Sequence, residues 1–221
     1  PSPAIAEELK SHGIKKVSII PNGVALKNFN PRYRSNAWRK FIAGRKEKNT
    51  TIILTVTRLS WEKDLKIMAE IYETLEKNKI DFIWVIAGAG PAKTELQKMM
   101  PKAEFLGYIR EKNLWTAYAS SDLMIFPSST ETFGNVTIEA MASGLVPIVA
   151  NAGGSKAIVK NRKNGLLAKP KNAGDFYKKI TLLINDKKLK SDLRKNGLKS
   201  VKEYDWPKIM AKIFRKYEEV T

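Results

Sequence analysis

Residues 122–150, "DLMIFPSSTETFGNVTIEAMASGLVPIVA", decide the fold. Leu123–Phe126 is an apolar run without polar alternation, the mark of a strand covered on both faces. Helical spacing opens near Asn135 or Val136 and runs to Ala142, and Val146–Val149 is a second uninterrupted apolar run. A strand, a helix and a strand in this order make a parallel βαβ unit. The loop before the helix carries Glu131, and Glu139 lies about one turn inside it. Two acids therefore flank a helix start, where a phosphate would be the expected guest, in a chain of net charge +18.

Outward from this unit the alternation continues. Further apolar or β-branched runs stand at Thr51–Val56, Phe82–Ala87, Glu104–Leu106 and Gly165–Leu167. Helical spacing separates them at Leu65–Asn78, Lys93–Met100, Leu114–Ser120, Ser155–Val159 and Phe176–Asn185. The pattern predicts an α/β fold: a Rossmann-like, doubly wound parallel sheet of about six strands with right-handed crossovers. The ends stand outside it. Residues 1–30 read as a helix-like "PAIAEELKSHG", a short entry strand "KVSII" and a loop, an entrance from something upstream. Residues 31–205 form the main domain, and residues 206–221 a terminal helix. Lys188–Tyr204 and Pro207–Val220 read as two helices separated by "DWP". The second aligns Ile209, Ile213 and Tyr217, with Met210 and Phe214 beside them, in a stripe that needs a partner surface.

A 221-residue chain with 43% hydrophobic content can build a proper core. It has no apolar run of membrane-spanning length and no secretory pattern at its start, so a cytoplasmic location is expected. The absence of cysteine excludes disulfides, thiolate catalysis and cysteine–metal sites. Neither an Asp-x-Asp motif nor a histidine cluster is present, so no metal site is expected; His12, alone in the entry segment, reads as exposed. The 40 basic against 22 acidic residues attract anions: nucleotides, nucleic acid or acidic lipid. Many lysines, as in "NDKKLKSDLRKNGLK", read first as solvated helix faces.

In such a sheet ligands bind beyond the carboxyl ends of the strands. From the helical rise, Glu131 and Glu139 stand about 8–12 Å apart, too far to share a proton. Between them, the backbone N–H groups of Gly134, Asn135, Val136 and Thr137 suit a phosphate, and the acids suit sugar hydroxyls. The plainer alternative is two exposed acids favoured by the helix dipole. Arg58 and Lys63, after the first strand, can neutralise a pyrophosphate or be a surface pair. "AGAGP" (87–91) follows the second strand, out of place for a dinucleotide fingerprint; Gly88 either gives a ligand room or serves a structural turn. "NAGGS" (151–155) is another strand-end glycine loop.

These landmarks, with "SIIPNGV" at 18–24, "TRLSWEK" at 57–63, "IAGAGP" at 86–91, "FLGYI" at 105–109 and "NGLLAKP" at 164–170, resemble the C-terminal, donor-binding half of GT-B-type retaining glycosyltransferases, glycosyl transferases group 1. That family includes sucrose synthases and bacterial lipid mannosyltransferases, and the nearest look is to mannosyl- or sulfolipid-type transferases. The resemblance implies that Arg58 and Lys63 hold the donor diphosphate. Glu131 would contact the transferred hexose and Glu139 the ribose, with Phe133–Thr137 completing the phosphate site. Gly107, Tyr108 and Ile109 would border the base. Arg58, Lys63 and Glu131 are the residues it places at the chemistry. No cofactor is implied beyond an NDP-sugar substrate, UDP- or GDP-linked. Departures from the family pattern are Thr57 and Asp64 where glycines are frequent, Ala25 for an aspartate and Ala157 for a glutamate.

The resemblance also implies an upstream acceptor-binding domain that these residues do not encode, with residues 1–30 the tail of the interdomain linker, the helix at 206–221 crossing back to that domain, the isolated half inactive, and an acceptor that is a lipid or cell-surface glycan. The basic surface leaves peripheral contact with an anionic membrane open; no nucleic-acid partner is expected. The alternative is a basic module for nucleic acid or anionic membrane with a vestigial donor site.

Overall fold

The computed structural model describes residues 2–44 and 50–218. Six strands, β1 (Thr51–Val56), β2 (Phe82–Ala87), β3 (Glu104–Gly107), β4 (Leu123–Phe126), β5 (Val146–Ala150) and β6 (Leu166–Ala168), form one sheet. Their order is β3-β2-β1-β4-β5-β6, every neighbouring pair parallel. The helices are α1 (Pro3–Ser11), α2 (Asn36–Ala43), α3 (Leu65–Lys77), α4 (Lys93–Met99) and α5 (Glu111–Ser120), then α6 (Asn135–Ala142), α7 (Gly153–Ile158), α8 (Ala173–Asn185), α9 (Lys187–Ser200) and α10 (Trp206–Glu218).

Both faces of the sheet are covered, as the unalternating strands require. On one face Ile53 and Ile148 pack with Met68 and Ile71 of α3 and Phe176 and Ile180 of α8. On the other, Ile52 and Leu54 pack with Tyr118 of α5 and Ala140 of α6. All three β1 residues are fully buried, each stabilising the fold by about 1.5–3 kcal/mol. Polar pins fix the central strands. Trp84 Nε1–H donates to Thr55 Oγ1 at 3.0 Å, and Thr55 donates on to the Ile125 carbonyl at 2.8 Å. At the other end, the Asp122 carboxylate accepts from Ile52 N at 2.9 Å and from Arg39 at 3.0 Å.

The expected entry strand "KVSII" does not form. Residues 14–23 have no regular structure, and the segment joins the body through a bridge between Val24 and Asp205, with Val24 N donating to the Tyr204 carbonyl at 2.7 Å. A strand requires a partner edge, and the two edges of this sheet are β3 and β6. The unforeseen α2 is short and basic; Ser35 caps it, its Oγ accepting from Trp38 N at 3.1 Å, and Ile42 and Ala43 anchor it. The expected helix Lys188–Tyr204 ends at Ser200 and tightens into a 3-10 turn at Val201–Tyr204. The basic stretch at 45–49 and the expected last residues of the terminal helix, 219–220, lie outside the described residues.

From β1 the chain builds outward to β2 and β3, then returns to the other side of β1 for β4, β5 and β6. The order reverses between β1 and β4, and the crevice beyond their carboxyl ends is where such sheets bind ligands.

Candidate functional site at the strand switch point

The loop after β1 is held by glycines. Backbone pairing continues past the strands, with Thr57 N donating to the Ala87 carbonyl at 3.1 Å and Leu59 N to the Ala89 carbonyl at 2.9 Å. A β-carbon at Gly88 would lie 1.8 Å from the Thr57 carbonyl oxygen, and one at Gly90 2.3 Å from that of Leu59. "AGAGP" thus makes room for the protein's own backbone, and in doing so presents Arg58 at the crevice. Arg58 pairs with Glu62, both side chains more than half exposed. Lys63 closes a 3-10 turn, and Asp64 follows at φ 53°, a left-handed conformation that glycine adopts more cheaply.

Asp64 ties this loop to the one after β4. Its Oδ2 accepts from Ser129 N at 2.8 Å and from Ser129 Oγ at 2.7 Å, and Thr130 Oγ1 donates to the Glu62 carbonyl at 3.0 Å. Glu131 then meets Lys63 at 3.4 Å through Oε2 and accepts from Gly134 N at 3.3 Å through Oε1. The Glu131 carbonyl accepts from Gly154 N at 2.6 Å. β-Carbons at Gly153 and Gly154 would lie 2.5 Å from the Glu131 carbonyl and 2.3 Å from Phe133 Cα, so "NAGGS" is a seat for the acidic loop. Gly134, at φ 103°, begins α6 with no side-chain cap.

A cavity of about 580 Å³ opens beside this assembly. Thr57 and Arg58 line it after β1, Gly88 and Ala89 after β2, and residues 108–111 after β3; Leu114 and Val136 close it. Tyr108 is 67% exposed, with the Arg110 guanidinium 4.7 Å from its ring centre. Tyr118 and Glu139 lie one turn beyond Leu114 and Val136 on the same helix faces. Tyr118 OH donates to Glu139 Oε2 at 2.8 Å. Burial raises the Glu139 carboxyl to about 7, against the opposing pull of the tyrosine hydrogen bond. Burial first, then the neighbouring carboxylate, raises Tyr118 well above the usual phenol range.

Of the residues singled out in the sequence, Arg58, Gly88, Tyr108, Ile109 and Val136 line one cavity. Gly107 adjoins it, its carbonyl accepting from Gly88 N at 2.8 Å. Lys63, Glu131 and Gly134 form a second group outside its lining. Phe133 and Thr137 are buried against other elements, Phe133 edge-on to Tyr204 and Thr137 hydrogen-bonded to Ser155 at 3.0 Å; the Thr137 N–H donates to the Gly134 carbonyl at 2.9 Å and the Phe133 backbone packs on Gly154. Asn135 is held by Asn22 at 3.1 Å. Sequence reasoning missed Ser129, Tyr118 and the seat formed by Gly153 and Gly154. Asp64 stood out as a departure, but its partner did not, because a serine in a loop carries no distinguishing pattern. His12 is exposed, as expected.

The model of glycosyl transferases group 1 matches residues 36–200. The chain belongs to this family. Among its relatives, a sulfoquinovosyl transferase of Arabidopsis thaliana is 34% identical over 223 residues, covering 96% of this chain and 42% of the relative. A GDP-mannose-dependent alpha-mannosyltransferase of Corynebacterium glutamicum is 32% identical over 220 residues, covering all of this chain and 52% of the relative. This group 1 chain thus spans about half the length of the curated relatives it matches. The crystal structure of Anabaena HepE in complex with UDP and glucose superimposes with a TM-score of 0.86 over 98% of this chain and 61% of that one, at 20% identity, which bears on the fold alone. The C-terminal domain of a Francisella tularensis group 1 glycosyltransferase matches with a TM-score of 0.70, 26% identical, over 83% of this chain and 100% of that domain. The Rossmann-like sheet is therefore one half of a GT-B fold.

Proposed function

We propose that this chain is the nucleotide-sugar-binding part of a retaining hexosyltransferase. The observation that carries the reading is the cavity between the β1, β2 and β3 loops, with Arg58 at its rim, the start of α6 on its wall and the Lys63–Glu131 pair alongside. A nucleoside fits the cavity, its base against residues 108–111 and its ribose toward Glu139. The diphosphate spans to Arg58 and the uncapped start of α6, which stabilise charge on the departing nucleotide without need of a resident metal ion. Lys63, drawn from Glu131 by the phosphates, frees that carboxylate for the hexose hydroxyls.

A UDP- or GDP-linked donor is supported by the names of the relatives, one structure holding UDP and glucose and one enzyme called GDP-mannose-dependent. The acceptor, a lipid or glycan, would be bound by an N-terminal domain of a longer protein. No described helix is long and apolar enough to cross a membrane, so contact with an anionic membrane surface would rest on the basic surface. Calorimetric titration with UDP, GDP and ADP tests the reading. One of them should bind, and Arg58→Ala or Lys63→Ala should each weaken it by about tenfold or more, as loss of a charge-assisted hydrogen bond does. Absence of binding by all three to folded protein would refute it.

A further inference from the structure

At the amino ends of β4 and β5, the opposite end of the sheet from the crevice, lies a second cavity of about 170 Å³. Arg34, Lys187, Lys190 and Arg194 line it, with Ser121 and Asp122. Its acid is already committed: Asp122 accepts from Arg39 and from the Ile52 amide. Among the described residues, none of the four lining cations belongs to an ion pair. An adjoining open groove of about 520 Å³ shares Arg194 and adds Lys195, Lys199 and Lys202, with no acid. The lysine-rich segment that reads in the sequence as a solvated face thus turns several of its cations toward common clefts.

The arrangement is shaped. Arg194 lies against Gly144, where a β-carbon would stand 3.0 Å from Nε and 3.2 Å from Nη2. Arg34 is fixed by donation from Nη1 to the Ala119 carbonyl at 3.5 Å. Its guanidinium holds its proton less tightly than usual, first through burial, then through the charges of Arg39 and Arg194, with Asp122 opposing. Four cations brought together in a concavity with a single carboxylate, itself shared with Arg39 and the Ile52 amide, favour an anion, and guanidinium forks match phosphate oxygens two at a time. The cavity falls below the roughly 300–1,000 Å³ of sites that take larger organic ligands, and no aromatic ring lines it on which a base could stack.

We propose that this cavity is a phosphate site, separate from the crevice at the strand carboxyl ends and independent of the donor reading. Arg34, Lys187, Lys190 and Arg194 enclose one phosphate group, carried by a free phosphate ion or displayed by a lipid headgroup. The test is calorimetric titration with inorganic phosphate and pyrophosphate in an Arg58→Ala/Lys63→Ala background, which removes cations at the other end of the sheet. Flotation with phosphatidylcholine vesicles, with and without phosphatidylglycerol, is run alongside. The expected result is binding of phosphate, of anionic vesicles or of both, at least tenfold weaker after Lys190→Ala/Arg194→Gln and unchanged after Lys93→Ala/Lys98→Ala, an equal loss of charge on α4. If the Arg194 variant does not fold, Lys187→Ala/Lys190→Ala takes its place. Binding of phosphate alone assigns the soluble source, and of vesicles alone the lipid source; either supports the site. No binding by any probe, equal weakening in the α4 variant, or preferential binding of duplex DNA overturns it.

Discussion

Asp64 carries two opposed contributions on one side chain. Its left-handed backbone costs about 1–2 kcal/mol, while its carboxylate holds both polar groups of Ser129 across two loops. Asp64→Gly relieves the first and loses the second; Asp64→Ala loses the hydrogen bonds and keeps the strain. The expected order of melting temperatures is therefore wild type, then glycine, then alanine, with alanine about 2–4 kcal/mol down. Scanning calorimetry checks it, and alanine above glycine would remove the argument. Glu139 is the second informative residue. Its carboxyl rises from the ordinary 4.5 to about 7 in the fold, so between these values the native state binds more protons than the unfolded state. Stability then falls as pH rises from about 4.5 to 7, by roughly 2–3 kcal/mol. Glu139→Gln should flatten this dependence in urea melts at pH 5 and pH 8, and be the more stable protein at pH 8.

At the scale of elements, the extension of β1 and β2 beyond their ends places Arg58, and the glycines opposite it decide whether the extension closes. Gly88→Ala drives a methyl into the Thr57 carbonyl, 1.8 Å away, so the loops must part, at about 1–3 kcal/mol. Nucleotide binding should weaken with it, because Arg58 moves. Gly13, in the entry segment, is the control: at φ 87° with nothing within 4 Å of its missing β-carbon, alanine there adds strain of about 1 kcal/mol without a collision. Urea denaturation and UDP or GDP titration of the two variants distinguish them; equal losses of affinity would deny the loop its positioning role. Helix α6 is a further case, since its apolar face, with Ile138, Ala140 and Met141 fully buried, holds it rigid while its uncapped start faces the acidic loop.

At the scale of the molecule, α10 buries one end of its apolar stripe and presents other large apolar side chains outward. Ile209 is fully buried and the Trp206 ring covers Gly23, but Met210, Phe214 and Tyr217 are 40%, 59% and 66% exposed. The apolar stripe expected there exists; its first member is fully buried, Ile213 is partly covered, and Met210 and Phe214 face outward. Ile209→Ala should cost about 2–5 kcal/mol, whereas Met210→Ser and Phe214→Ser should shift stability by less than about 0.5 kcal/mol and reduce concentration-dependent association in sedimentation velocity. A large loss from the two outer changes would show that the stripe is packed in solution.

The strands of the sheet and the helices between them were legible from local pattern: a short, unalternating, β-branched run such as "TIILTV" is the signature of a strand covered on both faces. That the bases at 58 and 63 and the acids at 131 and 139 follow the carboxyl ends of β1 and β4 was legible because the order of loops along a doubly wound sheet is regular. Their actual partners were not. That Glu131 leans on Lys63, that Glu139 is shared with Tyr118 and raised by burial, and that Ser129 answers Asp64 all depend on which loops the folded sheet brings side by side. The entry segment shows the same limit from the other direction: "KVSII" has the composition of a strand, but pairing requires an edge, and only the assembled sheet determines which edges there are. Sequence alone determined the six strands of the sheet and the helices between them; the fold decided whether "KVSII" could pair and what each side chain meets, because a contact between residues 64 and 129 is a property of three-dimensional packing and not of either stretch.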